Sequence, residues 1–175
     1  GIRNVEVGAM VSPDKVPNMA DSGKVYSQVS YLEPDVTLGM LVPNAKGVER
    51  AKAVGVSKFN VFFSPSDYFN INNHGRTLNF IFSEHKVDKS DIRVYISTAF
   101  GCPGTGEIPS EAMRRALSWA DSLGSTIVLS DTTGRANPMR INRMMREISK
   151  TSVTADIALH LHHGPRRSRM YDNIS

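Results

Sequence analysis

The sequence predicts an α/β fold of about six strand-helix units arranged around a parallel sheet. Short apolar, β-branched runs alternate with amphipathic runs of helical period along the whole chain, which is the signature of repeated strand-helix units. No linker, low-complexity segment or close repeat divides the chain. Its 175 residues, 40% hydrophobic, suffice for one core of ordinary globular size. Six consecutive units are too many to be incidental and too few to close an eight-stranded barrel.

The strands are expected in NVEVGAM, DVTLGMLV, KFNVFFS, IRVYIST, TIVLSD and ADIALHLH, the last ending at His162. Helices are expected in the KVPNMADSGKVYSQV region, in KGVERAKAVG, in part of the stretch from DYFNINN to HKVDKSD, in SEAMRRALSWADSLG and in NPMRINRMMREISK. The helix beginning near Ser110 has that serine as its expected N-cap, with Glu111 beside it, and Gly124 as its C-cap. Pro138 suits a first helical turn capped by Asn137. Met113, Leu117, Trp119 and Met144 are expected to pack on the sheet.

No apolar run approaches the roughly 18 residues that a membrane-spanning helix needs, and the first residues given do not show a basic region followed by a hydrophobic one. A soluble cytoplasmic protein without membrane partners is expected, or one of the mitochondrial matrix if the source is a eukaryote. The single Cys102 excludes an internal disulfide framework and a CxxC metal or redox motif. The formal charge of +4 owes much to Arg166, Arg167 and Arg169 near the C-terminus, and basic residues elsewhere are interspersed with acids. That distribution argues against a nucleic-acid partner, which requires a clustered basic stripe, but suits an anionic metabolite.

Both parallel-sheet architectures place chemistry at the carboxyl ends of strands. In IALHLHH, His160 and His162 stand one residue apart, so on a strand both imidazoles share a face while Leu159 and Leu161 take the other. The spacing suits a two-ligand metal clamp, and equally a pair of hydrogen-bonded strand histidines. Glu6 interrupts VEV where an apolar residue would be ordinary, and an inward carboxylate there needs a partner. Asp131 follows TIVLS and opens DTTG, where it serves either a turn or the site. Arg93 shares a strand face with Tyr95 and Ser97, placing a guanidinium inward for a carboxylate, a phosphate or an internal ion pair. Two histidines, two carboxylates and a guanidinium on one face describe a metal-assisted site for an oxygen-rich anion, with oxygen-completed coordination favouring Mg2+ or Mn2+ over tetrahedral zinc.

These segments resemble the 3-hydroxy-3-methylglutaryl-CoA lyases. VEVGAMVSPDKVPNMADS is similar to that family's strand glutamate followed by VSPxxVPxMAD, and LVPNAKGVERAKAVG to its TPNxKGxExAxxxG. FSPSDYFNINN resembles the S-E-x-F-x-x-x-N loop, AFGCPGTGEI the LGCPxEGxI loop, SDTTGRANP the GDTxGxxxP segment, and HLH the HxH metal strand. The resemblance runs in order from about residue 3 to His162. It implies an incomplete (β/α)8 TIM barrel, with a partial lyase domain over residues 1–163 and a divergent basic tail over 164–175.

The implied activity is divalent-metal-dependent carbon-carbon cleavage of 3-hydroxy-3-methylglutaryl-CoA, an acyl-CoA substrate, to acetoacetate and acetyl-CoA. The resemblance assigns metal ligation to His160 and His162, catalytic positions to Glu6 and Asp131, and substrate binding to Arg93, with Mg2+ or Mn2+ as cofactor. Cys102 falls on the GCP cysteine, not on the family's catalytic thiol. The family's Arg-Asp pair on its first strand, its asparagine ligand and its thiol loop have no counterpart here, so the chain is expected to be cut at both ends and to turn over little by itself. His163, Gly164 and Pro165 also depart from the family's Asp-Thr-x-Gly after HxH. A related aldolase or Claisen-condensing enzyme, and an inactive metal-binding remnant, remain alternatives. An open six-strand arc is further expected to expose its two outer edges and hydrophobic inner faces, favouring homo-oligomers or aggregation.

Overall fold

A computed structural model of the chain describes residues 2–32, 35–77 and 92–162. Its strands are β1 (Asn4–Ala9), β2 (Thr37–Leu41), β3 (Lys58–Phe63), β4 (Ile92–Ile96), β5 (Thr126–Ser130) and β6 (Asp156–His160). They form one sheet in chain order, every neighbouring pair parallel. That order is the wall of a (β/α) barrel, since a doubly wound sheet would reverse its strand order at a switch point. The helices are α1 (Ser22–Val29), α2 (Ala45–Ala53), α3 (Asp67–His74), α4 (Ser110–Leu123) and α5 (Pro138–Ile148).

Alternation along each strand divides the residues between two faces. Met40, Val61, Phe63, Val94, Ile96, Ile127 and Leu129 are buried on the helix-covered face, beneath Val48 and Ala51 of α2 and Met113, Ala116 and Leu117 of α4. Each large side chain withdrawn from water there contributes about 1.5–3 kcal/mol. Trp119 packs edge-on against Phe63, with ring centroids 4.5 Å apart, and Met144 lies against the same core, as expected for helix residues facing the sheet.

Local chemistry explains most element boundaries. Asn44 caps α2 by accepting from the Gly47 amide at 2.9 Å, and Asn137 caps α5 by accepting from Arg140 at the same distance, with Pro138 in the first turn. The first helical region divides into a 3-10 turn, Pro17–Met19, and α1. Ser22 pins that junction to β1: its hydroxyl donates to the Met19 carbonyl at 2.9 Å and accepts the Ala9 amide at 3.2 Å. The expected cap of α4 is corrected. Ser110 is already helical and Pro109 occupies the N-cap, without a side-chain hydrogen bond, because proline carries no acceptor there. α3 closes on Gly75, whose φ of 71° suits glycine. The rest of the expected helical stretch (78–91), His163 and the basic tail lie outside the described residues.

The inner face is hydrophobic only in part, with Phe62 and Val128 on it higher up. The lower half of that face carries Glu6, Thr37, Lys58, Asn60, Arg93 and Thr126, so it is polar. β1 and β6 do lie at the sheet's edges, with Val5 and Leu159 exposed. Among the described residues no helix is long and apolar enough to cross a membrane.

Candidate functional site

Ile157 and Leu161 pack against the core, so alternation turns His160 and His162 to the inner face. Their Nε2 atoms lie 2.9 Å apart and their rings meet nearly at right angles. Two ligands each about 2.1 Å from a shared ion subtend close to a right angle at this separation, whereas tetrahedral coordination would set them about 3.4 Å apart. Burial and then the neighbouring His162 hold the His160 imidazole below its ordinary pKa, with Glu6 opposing. The neutral ring so favoured is the ligating form. As it stands the separation is an N–H···N hydrogen bond between the rings, and it also matches two adjacent positions of an octahedral divalent cation. Among the described residues no group of three or more His, Cys, Asp or Glu side chains gathers around a common point.

Asp131 directly follows β5 and is almost wholly buried. Its amide donates to the His160 carbonyl at 2.8 Å, tying the carboxylate to the level of the imidazoles. Its Oδ1 accepts from the Arg135 amide at 2.7 Å and its carbonyl from Gly134 at 3.1 Å, so it also organises the turn. Burial pushes its pKa above the usual aspartate value, against the pull of the Ala136 and Arg135 amides, His162 and Arg140.

Glu6 and Arg93 lie lower in the sheet. Glu6, in the middle of β1, accepts a short hydrogen bond from Asn60 Nδ2, the partner that an inward carboxylate requires. Arg93 is the second residue of β4, beside Asn60 and Thr126 in the ladder. The expected convergence of all five groups at the strand ends is thus resolved into two tiers. Asp131, His160 and His162 form the upper tier, and Glu6, Asn60 and Arg93 the lower. Tyr95 joins them: its ring meets that of His160 edge-on at 6.0 Å, and it feels both Glu6 and Arg93. Burial and then Glu6 raise its pKa, while a hydrogen bond with Arg93 and that residue's charge work against them. Asn60 is not singled out by the sequence pattern, although an amide at an inward position of KFNVFFS is the signal that could have found it.

The loop after β4 supplies a rigid shoulder. Thr98 is wholly buried at φ 54°, a region that a β-branched residue seldom occupies, and is held by Ser64 Oγ at 2.6 Å and by Thr132 Oγ1 accepting its amide at 2.8 Å. Asn70 reads both backbone groups of Ser64, accepting its amide at 2.8 Å and donating to its carbonyl at 2.7 Å. Cys102 is buried, receives a hydrogen bond from Ser66 at 3.2 Å and pairs its backbone with Gly106. Burial raises its thiol pKa, but hydrogen bonds from Ser66, Thr105 and Gly104 outweigh it and leave the net value lowered.

This arrangement has close relatives. A family model described as HMGL-like matches residues 1–165. Hydroxymethylglutaryl-CoA lyase of Pseudomonas mevalonii is 32% identical over 170 residues, covering 93% of this chain and 56% of that protein. The crystal structure of the Bacillus subtilis HMG-CoA lyase superposes with a TM-score of 0.87 at 28% identity, covering 98% of this chain and 61% of that one. An HMG-CoA lyase from Acinetobacter baumannii, solved in complex with coenzyme A and 3-methylmalate, gives 0.84 at 29% identity, over 93% of this chain and 55% of the other. The chain therefore spans somewhat more than half the length of these relatives. With a six-stranded parallel barrel wall and the family model matched over nearly its whole length, the chain belongs to the HMGL-like family.

Proposed function

We propose that the chain carries the metal-holding face of a carbon-carbon lyase acting on 3-hydroxy-3-methylglutaryl-CoA, with Mg2+ or Mn2+ bound by His160 and His162. The observation that carries this reading is the 2.9 Å approach of the two Nε2 atoms at the strand end of an HMGL-like barrel wall. His160 and His162 would hold the divalent cation, which would supply Lewis acidity to the substrate's hydroxyl. Asp131, whose carboxyl is raised by burial, accepts the proton from that hydroxyl. As the adjoining carbon-carbon bond breaks, its electron pair passes to the thioester carbonyl, leaving acetoacetate and, after protonation, acetyl-CoA. Arg93 offers a guanidinium to the substrate's carboxylate, and Glu6, oriented by Asn60, lines the same face.

The test takes binding first and turnover second. The protein loaded with Mn2+ is titrated with 3-hydroxy-3-methylglutaryl-CoA by calorimetry, and acetyl-CoA release is followed chromatographically. Metal-dependent thioester binding that is lost in His160→Ala supports the reading. Turnover by residues 1–175 alone is expected to be slow, since no third acidic or imidazole ligand joins the pair among the described residues. Thioester binding indifferent to both metal and His160 would overturn the reading.

A further inference from the structure

Ser130 is the last residue of β5. Ile127 and Leu129 belong to the core, so Val128 and Ser130 face inward with the histidines. Ser130 is only 6% exposed, and its Oγ has no hydrogen-bond partner among the described residues. Buried hydroxyls are ordinarily paired, so such an orphan points to a partner that appears in another state.

The ladder supplies that partner. Ser130 is the register mate of His160, and the Asp131 amide continues the pairing at the same level. Neighbouring strands lie about 4.7–4.9 Å apart, so register mates on one face bring a serine Oγ and a histidine Nδ1 within hydrogen-bond reach by side-chain rotation. His160 directs Nε2 at His162, leaving Nδ1 as its remaining nitrogen, and its ring makes no other hydrogen bond among the described residues. An imidazole that ligates a metal through Nε2 carries its proton on Nδ1, and an acceptor for that proton fixes the tautomer and the ring. The nearby carboxylate of Glu6 is already engaged by Asn60.

We propose that Ser130 is a positioning residue, whose Oγ accepts the Nδ1 proton of His160 when Nε2 of that ring holds a divalent cation. The inference rests on the reading of His160 and His162 as ligands. Removing the acceptor should loosen the ring and weaken the metal by roughly 10-fold, the lower end of the range for such partners.

Mn2+ serves as the probe, titrated calorimetrically into the 175-residue chain and its variants. Ser130→Ala and Ser130→Gly are both expected to bind about 10-fold more weakly at unchanged stoichiometry, Ser130→Ala without a lower metal-free melting temperature, and Ser130→Thr to recover most of the affinity. In the Mg2+-loaded protein, the Nδ1 proton of His160 should give a slowly exchanging NMR signal that Ser130→Ala loses. Affinity within twofold of the parent in both hydroxyl-free variants, with His160→Ala still abolishing binding, would overturn the proposal alone. A parent that binds no Mn2+, or binds it equally well after His160→Ala, would remove the ligand reading and the proposal together.

Discussion

Gly124 joins α4 to β5, and a methyl group there should cost more stability than its helix-end position suggests. A Cβ built on Gly124 would lie 2.6 Å from the Ile92 carbonyl oxygen and 2.8 Å from Val94 Cγ2. The first distance is about 0.8 Å short of ordinary contact at 3.4 Å, and the obstacle is backbone rather than the end of a flexible side chain. The same oxygen accepts from the Ser125 amide at 3.2 Å, so relief requires β4 and β5 to separate just before Arg93 and Thr126. Gly124 has φ −141°, which alanine adopts freely, so the clash rather than backbone strain sets the cost. Overpacking of this kind costs about 1–3 kcal/mol. The reduced entropy of the unfolded chain returns about 0.4–1 kcal/mol, leaving a net loss of about 2 kcal/mol if the clash sits at the upper end. For a chain of this size that lowers the melting temperature by about 4–8 °C. Gly23→Ala is the control: within α1 its Cβ meets nothing closer than 3.5 Å, and the helix gains about 0.5–1 kcal/mol. Thermal melts by circular dichroism should therefore move in opposite directions for the two variants. A Gly124→Ala protein melting at or above the parent would refute the close approach of α4's end to β4.

Asn70→Ala strips partners from two buried backbone groups of Ser64, so urea unfolding should show a loss of about 2–5 kcal/mol, and a loss below about 1 kcal/mol would contradict the network. Because the folded pKa of Asp131 is raised, the native state holds that proton more tightly than the unfolded chain, and stability falls as pH climbs from the ordinary aspartate value through the folded one. Asp131→Asn should consequently gain on the parent over that interval in melts across pH; a constant difference would show that burial does not disfavour the ionised carboxylate. Cys102 is buried, so native protein should resist Ellman's reagent until denaturant is added, and immediate labelling would place the thiol at the surface. The exposed edges of β1 and β6 are expected to promote association, read as light scattering that rises with concentration, and a monodisperse monomer throughout would count against it.

The barrel wall was legible because the inner strands of the sheet, β2 to β5, bury one face under helices, which leaves the apolar alternation and the helical periodicity undisguised in runs such as TIVLS and SEAMRRALSWADSLG. What alternation alone does not carry is depth along a strand. Arg93 and Asp131 were readable as inward or rim residues, yet their separation into two tiers depends on the stagger of β4 against β5, which only the register reveals. Asn60 and Ser130 were hidden for a related reason. Each is a small polar residue in an apolar run, and its neighbourhood is set by other strands: Glu6, two strands away, meets the Asn60 side chain, and His160 is the register mate of Ser130. The misplaced cap at Ser110 has a local cause, since Pro109 takes the position that a serine would ordinarily fill.

The most direct test of the account is pulsed electron paramagnetic resonance of Mn2+ bound to the chain. Hyperfine coupling to two imidazole nitrogens is expected, reduced to one in His160→Ala and likewise in His162→Ala, if the paired Nε2 atoms at 2.9 Å hold the ion as proposed. Bound Mn2+ that shows no imidazole coupling, or coupling untouched by either substitution, would contradict it.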